Sequence, residues 1–463
     1  MPDDRPMTNA QMRDLESLLH PYTNAAAHRA KGAHLIAEGE GCYVTDGDGR
    51  RLLEGMAGLW CCGLGFGDGE LIAAAQEQLA RLPYYHLFGG RTHEPAIELA
   101  ERIKDLFPTP MARVFYGSSG SEANDSQVKL IWYMNNALGR PRKKKIIARK
   151  RGYHGVTLVS ASMTGLPLNH GSFDLPMDFV KHTRCPHHWR EAETGESERD
   201  FSARLAAELE AQILEEDPDT VAAFIAEPVM GAGGVIVPPE GYFEAIQPVL
   251  AKYDIQLIDD EVICGFGRTG NWFGAETLGM EPTSVSMAKQ MTGGYVPLSA
   301  VAMDARMAEA IEAESARHPA LGHGFTYGGH PLGCAVGVAA IDIYRRRDIV
   351  GHVRSVMPAF QAALRRFADH PLVGEARGLG LLGALELSPD KAARAPFKVP
   401  AKVGPKMQEE MIARGVIVRA IGDTLAFCPP MIITEAEIEE LFAPVEAALD
   451  ATELWARAEG HLS

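Results

Sequence analysis

Apolar positions in 69–81 and 93–106 recur at the three- and four-residue spacing of a helix with one buried face, and Pro108 and Pro110 stop the second helix. Beyond them the period changes. Short apolar runs at Val114–Tyr116, Lys145–Ala148, Val221–Ala226, Ile255–Ile258 and Ser284–Met287 predict strands, while Ser121–Leu138, 203–215 and Glu240–Tyr253 predict helices. Strands alternating with helices specify an α/β fold whose mainly parallel sheet is covered on both faces. Such sheets place ligands beyond the carboxyl ends of their strands.

The flanks read differently. A helix over Asn9–Leu19 and a hairpin over Gly41–Leu53, with Asp46-Gly47 and Asp48-Gly49 as turn signals, make an N-terminal arm. After about residue 335 the pattern gives a long helix, a strand at Gly378–Leu387, a helix over 401–414, strands near 416–420 and 425–428, and a final helix. Thr434 and Glu437 form the capping box of that last helix. The expected division is 1–60 as arm and part of a small domain, 61–335 as the large domain, and 336–463 as the rest of a smaller α/β domain.

The chain has 463 residues, 46% hydrophobic, enough to bury a large core. No apolar run reaches membrane-spanning length, and the polar, acidic N-terminus lacks a signal-peptide pattern. A formal net charge of -16 argues against nucleic acid as a partner. Seven scattered cysteines fit free thiols, and with the other features they set the expectation of a cytoplasmic protein. Two constellations read as solvated: the basic run Arg140–Lys145, and His182, Cys185, His187 and His188, whose spacing is too tight for a tetrahedral metal site, so no metal is expected.

Chemistry concentrates at the strand ends. Tyr116-Gly-Ser-Ser-Gly-Ser-Glu-Ala-Asn124 joins a strand to a helix, where backbone N–H groups, the helix dipole and the Ser119 and Ser121 hydroxyls can hold an anion. Arg151-Gly-Tyr-His-Gly155 places Tyr153 and His154 where a ring could stack on a planar ligand. Glu227 ends the run 221–226, and Asp260-Glu261 end the run 255–258. A carboxylate in such a place is expensive unless paired or functional. Lys289 follows Ser284–Met287 and could form an imine with an aldehyde. Phe325-Thr-Tyr-Gly-Gly-His-Pro331 is a sixth motif. Singly, each also fits a structural role, such as a capped helix start or a packed Tyr–His pair. Together they supply an anion cradle, a stacking ring, a carboxylate and an amine, the parts needed to hold pyridoxal phosphate.

With these residues, and with Ala57-Gly-Leu-Trp-Cys-Cys-Gly-Leu-Gly65, Pro83-Tyr-Tyr85 and Val416–Asp423, the chain resembles the class III pyridoxal-phosphate-dependent aminotransferases of fold type I. Within them it is most similar to the omega-amino acid and amine:pyruvate aminotransferases. The resemblance implies a large domain with a mainly parallel seven-stranded sheet and a small domain formed by both termini. It implies Lys289 as the Schiff-base lysine and proton shuttle, with Asp260 on the pyridine nitrogen. Tyr153 would lie on the ring face, Gly120 and Ser121 at the phosphate, and Ser119, His154, Glu227 and Ile263 around the cofactor. Thr326 would reach the phosphate of the partner subunit, which implies a homodimer with its active sites at the interface. Trp60, Phe88, Tyr153 and Glu227 would line the substrate pocket, and Arg419 would pair with a substrate carboxylate.

The implied reaction moves an amino group from an omega-amine or omega-amino acid to pyruvate. The alternatives are 2-oxoglutarate as acceptor, as in 4-aminobutyrate and ornithine relatives, an aminomutase of the same fold, or a non-catalytic binding protein. A nicotinamide oxidoreductase lacks its G-x-G-x-x-G turn. Three departures from the family pattern bear on substrate: Gln290 where Gly is usual, Asp259 where a small apolar residue is common, and Leu168 where an aromatic is frequent.

Overall fold

The computed structural model describes residues 7–462. Its centre is a seven-stranded sheet in the spatial order Arg113–Gly117, Ser299–Met303, Ser284–Met287, Gln256–Asp260, Val221–Ala226, Lys145–Arg149, Val180–Thr183. Ser299–Met303 runs antiparallel to both neighbours, and the remaining pairings are parallel. All six residues of Val221–Ala226 are buried, as expected of a central strand covered on both faces. Helix Gly120–Ala137 packs on one face and helices such as Glu198–Glu215 and Tyr242–Lys252 on the other, so the two apolar clusters lie on opposite sides of the sheet. Burying a side chain such as Phe224 within them contributes about 2–3 kcal/mol.

Two four-stranded sheets flank this core. One joins Ile36–Glu40, Tyr43–Asp46 and Arg51–Glu54 to Val416–Ile417, so both ends of the chain share it. The other orders Val373–Leu379, Leu382–Leu387, Thr424–Phe427 and Arg419–Ile421.

The strands expected in the first half of the sheet are present within a residue or two. Several expectations are corrected. Gly378–Leu387 is not one strand: it turns at Gly380-Leu381 into a hairpin, and the first arm, Val373–Leu379, carries the polar Glu375 and Arg377 that broke the apolar run. The long helix after 335 is two, Pro331–Arg346 and Ile349–Arg365, because Asp348 adopts φ +46° and its side chain accepts from the Gly351 N–H. The final helix likewise divides at Pro444 into Glu435–Phe442 and Val445–Ala458.

The supposed surface segment His182–His188 is also not solvated throughout. Cys185 and His187 are buried, and His187 Nε2 lies 2.8 Å from Glu375 Oε2 in a cluster that Arg377 and Arg190 complete. In the basic run, Lys143 is buried and donates to the carbonyls of Pro218 and Tyr253.

Candidate active site

The carboxyl ends of the central strands open into a cavity of about 380 Å³ that collects residues from five of the six sequence motifs. Strand Arg113–Gly117 leads directly into the 18-residue helix Gly120–Ala137. Ser119 caps it by accepting from the Glu122 N–H at 3.2 Å, and Glu122 reaches back to the Ser118 N–H at 2.6 Å. Gly120 packs closely: a Cβ there would lie 3.1 Å from both methyls of Val262, which would have to give way by a few tenths of an ångström. Ser118 to Ser121 thus present a helix N-terminus to the cavity, a ready anion site.

Asp260 ends strand Gln256–Asp260 and is buried. Its Oδ2 accepts from Asn124 Nδ2 at 2.7 Å and from His154 Nδ1 at 2.9 Å, and its Oδ1 accepts from the Val262 N–H at 3.2 Å. Three donors therefore fix this carboxylate. Asn124 also donates to the His154 carbonyl at 2.7 Å, tying the helix to the 151–155 turn. With Nδ1 donating, His154 keeps Nε2 as an acceptor, buried and without a partner among the described residues.

Glu227 follows Val221–Ala226 and accepts the Tyr153 N–H and the Gly231 N–H, each at 2.9 Å. Burial pushes its carboxyl above the usual range, opposed by His154. Tyr153 lies on the cavity wall, its phenol pushed up by burial and by the neighbouring Tyr22.

Lys289 begins a short 3-10 turn immediately after strand Ser284–Met287. Its φ is +45°, a left-handed conformation that a side-chain-bearing residue adopts only under local constraint. Burial pushes its ammonium below the usual lysine range, against the pull of Cys61, Asp260 and Glu227. The amine is therefore closer to its neutral, nucleophilic form than a surface lysine.

The structure brings Ser119, Gly120, Ser121, Tyr153, His154, Glu227, Asp260, Ile263 and Lys289 onto one cavity wall, and four other candidates elsewhere. Trp60 is buried in a cluster with Met56, Val229, Val235 and Leu382, and its neighbours Leu59 and Cys61 face the cavity instead. The backbone kinks there, with Gly58 at φ +68° and Trp60 at φ +65°. Phe88 is 49% exposed. Thr326 is exposed too, and its carbonyl accepts the Tyr84 hydroxyl at 2.9 Å. Arg419 begins strand Arg419–Ile421 beside Tyr153 and Tyr22, and among the described residues no carboxylate pairs with it.

Sequence reasoning missed Asn124 as a partner of Asp260. It stands four residues, one helical turn, after Gly120 within the quoted motif, and that spacing was the available signal.

Asp259 and Glu261 alternate with Asp260 along the strand and do not share its partners. Asp259 and Glu261 share a carboxyl–carboxylate contact with each other, and Glu261 also accepts the Ala275 N–H at 2.7 Å. Burial, with Glu261 beside it, pushes the Asp259 carboxyl well above the usual range. The folded state then holds a proton that the unfolded state releases from about pH 4, so stability falls as pH rises through that window. Asp259→Asn removes this slope. Its stability relative to the wild type should improve steadily as pH rises above about 4. Parallel melting curves for the two proteins across that range would refute the assignment.

The residues present fit one cofactor. A helix N-terminus for a phosphate, a fixed carboxylate, a ring on the wall and a buried amine meet in one cavity. Fold and site together define a pyridoxal-phosphate-dependent enzyme of fold type I.

Comparison with known proteins agrees. The class-III aminotransferase model matches residues 25–449, and the chain belongs to that family. It is 48% identical over 439 residues to the mitochondrial gamma-aminobutyrate transaminase 1 of Oryza sativa subsp. japonica, covering 94% of this chain and 85% of the rice protein. The omega transaminase of Pseudomonas jessenii, solved in complex with PMP, superposes with a TM-score of 0.95 at 49% identity, covering 97% of this chain and 99% of that one. A thermostable omega transaminase variant with three substitutions, engineered for asymmetric synthesis of enantiopure bulky amines, superposes with a TM-score of 0.95 at 48% identity. It covers 96% of this chain and 100% of its own. The chain is thus a transaminase whose substrates are an amine and a keto acid.

Proposed function

We propose that this enzyme transfers the amino group of an omega-amine or omega-amino acid to pyruvate, releasing an aldehyde or ketone and L-alanine. The observation that carries the reading is Arg419. Its guanidinium lies beside Tyr153, burial lowers its pKa, and no carboxylate among the described residues neutralises it. Arginine stays charged in such a place, so it is set to take a carboxylate from outside. Pyruvate and an omega-amino acid each bring one. The three substituted positions of the engineered variant, a tryptophan, a phenylalanine and an arginine, are spaced by 28 and 331 residues. Trp60, Phe88 and Arg419 have the same spacing, which supports a substrate role for all three.

Bound pyridoxal phosphate supplies a carbonyl that takes up the amino group and a ring that withdraws electrons from the reacting carbon. The helix start at Gly120 and Ser121 would hold its phosphate, Asp260 its ring nitrogen and Tyr153 its face. Lys289 Nζ would accept the proton from the donor's amine-bearing carbon and deliver it to the cofactor carbon. With pyruvate the same amine would carry it back. Asn124 and His154 keep Asp260 oriented through both halves.

Tyr84, Tyr85, Phe88, Tyr327 and Thr326 are all exposed on neighbouring loops, an apolar patch of the kind that marks a protein interface. We assign it to a second copy of the chain, which would bring Thr326 and Phe88 to the partner's cavity. All seven cysteines are free thiols, which suits the reducing cytoplasm.

The rice relative's name supports 4-aminobutyrate as a donor, and a second reading pairs that donor with 2-oxoglutarate as the acceptor. That donor, an omega-amino acid, fits both readings, so the acceptor separates them. Holoenzyme given an amine panel with pyruvate or 2-oxoglutarate should form alanine at least about 10-fold faster than glutamate, a difference of about 1.4 kcal/mol in transition-state binding. Faster glutamate formation would favour the second reading, and neither product would sink both. In single-turnover reactions without acceptor, Arg419→Ala should slow 4-aminobutyrate by about 100-fold and an aryl amine by less than about 10-fold. Equal losses would refute its role.

A further inference from the structure

The N-terminal arm gathers a second set of chemistry-bearing side chains outside the cavity. Asp14 sits on helix Asn9–Ser17, His28 on helix Ala25–Lys31, and His20 in the turn between them. His20 Nε2 lies 2.9 Å from Asp14 Oδ1, and His28 Nε2 lies 2.9 Å from Asp14 Oδ2. The two imidazole centroids are 4.3 Å apart, and the three ligand atoms lie within 4.8 Å of one another. No lysine or arginine among the described residues pairs with Asp14. The other convergent group, His187 with Glu375 and Glu386, differs in this respect, because Arg377 already fills the space between its carboxylates.

We infer that Asp14, His20 and His28 form a binding site for a divalent transition metal of the zinc type. Two imidazole nitrogens and one carboxylate are ligands that suit zinc and disfavour calcium or magnesium, which prefer all-oxygen sets. Tetrahedral zinc with bonds of about 2.0–2.1 Å sets its ligand atoms about 3.3 Å apart. The two imidazole–carboxylate separations, 2.9 Å each, are a few tenths of an ångström short of that, and the two imidazole nitrogens lie within 4.8 Å of each other, so side-chain adjustment admits the ion. Side-chain exposures of 11% for Asp14, 13% for His28 and 31% for His20 leave one side open for a water as fourth ligand.

The position gives the site a consequence. The turn it would clamp carries Tyr22, at φ +50°, whose hydroxyl accepts the Asn169 side-chain amide at 2.6 Å and which stands beside Tyr153 and Arg419. A metal bridging residues 14, 20 and 28 closes this segment into a loop and removes freedom from it. The arm beside Tyr153 and Arg419 is thereby held at its base.

The test is a zinc titration of the full-length, untagged, metal-stripped holoenzyme against a chromophoric chelator. The expected result is one Zn²⁺ per chain. His20→Ala and His28→Ala should each weaken binding by more than about 100-fold, beyond the loss of an outer-shell partner, with Asp14→Asn at least about 10-fold weaker. Cobalt(II) should give the visible absorbance of a four-coordinate site in the wild type and lose it in both histidine variants. These residues lie on a surface arm, and circular dichroism checks that the variants keep the fold. No uptake by the wild type would overturn the proposal. So would uptake that persists in the His20→Ala/His28→Ala double variant, which would assign the metal to thiols such as Cys61 and Cys62.

Discussion

Lys289→Ala is expected to reduce transamination by at least about 10⁴-fold while leaving the fold intact. Two functions are lost together: the amine that would bond the cofactor and the group that would carry its proton. The surroundings show why no neighbour replaces it. The ammonium is buried, and the carboxylate and imidazole groups that line the same cavity are Asp260, Glu227 and His154. The first and last are engaged with each other, and Glu227 is held by two backbone N–H groups. Borohydride reduction followed by digestion should place the cofactor on the Lys289 peptide of the wild type and on no peptide of the variant. Added methylamine should restore a small part of the activity by supplying a free amine. Stability should not fall, because the substitution removes a buried ionisable group and leaves the backbone at φ +45° as it was. Turnover within about 10-fold of the wild type, without added amine, would remove Lys289 from the mechanism.

The same residue shows how much of this enzyme is written locally. Lys289, Asp260, Glu227 and Ser119–Ser121 were legible because each follows a short apolar run, and a strand's carboxyl end is where such a sheet binds ligands. Their convergence needed only the order of strands. Val180–Thr183 and Ser299–Met303 went unread for opposite reasons. The first is a four-residue edge strand with polar Lys181 and His182, and the second is a short apolar run just beyond the Gly293-Gly294 turn. Trp60 and Phe88 lay beyond local reasoning. One depends on a backbone kink at Gly58, and the other lies exposed in the aromatic patch assigned to a second copy. The acidic run 259–261 is the clearest lesson. Composition treats three carboxyls alike, but the two-residue period of a strand sends only the middle one to the cavity. The outer two are buried away from it, Asp259 holding a proton and Glu261 the Ala275 N–H.

That separation makes Asp260 the other decisive position. Asp260→Ala is expected to lower kcat/KM by about 10³-fold, the scale of losing a preorganised charge at a reacting centre. A conservative amide would not preserve the site. Asn124 Nδ2 and His154 Nδ1 both donate to Oδ2, and the Val262 N–H donates to Oδ1, so an asparagine NH₂ on either side would face a donor. The alanine variant leaves those donors unpartnered but opens space where the carboxylate stood. If Asp260 acts by keeping the ring nitrogen positive, a cofactor methylated at that nitrogen carries the charge permanently and fits the opened space. Reconstitution with it should recover a factor of about 10 or more in the variant and impair the wild type, where the methyl meets the carboxylate. A merely structural Asp260 would show the same loss with either cofactor. The pH profile gives an independent reading: the variant's activity with ordinary cofactor should fall away at lower pH than the wild type's, because nothing then holds the ring proton in place. An unchanged profile, together with no recovery on the methylated cofactor, would assign Asp260 to packing and leave the charge on the ring to another group.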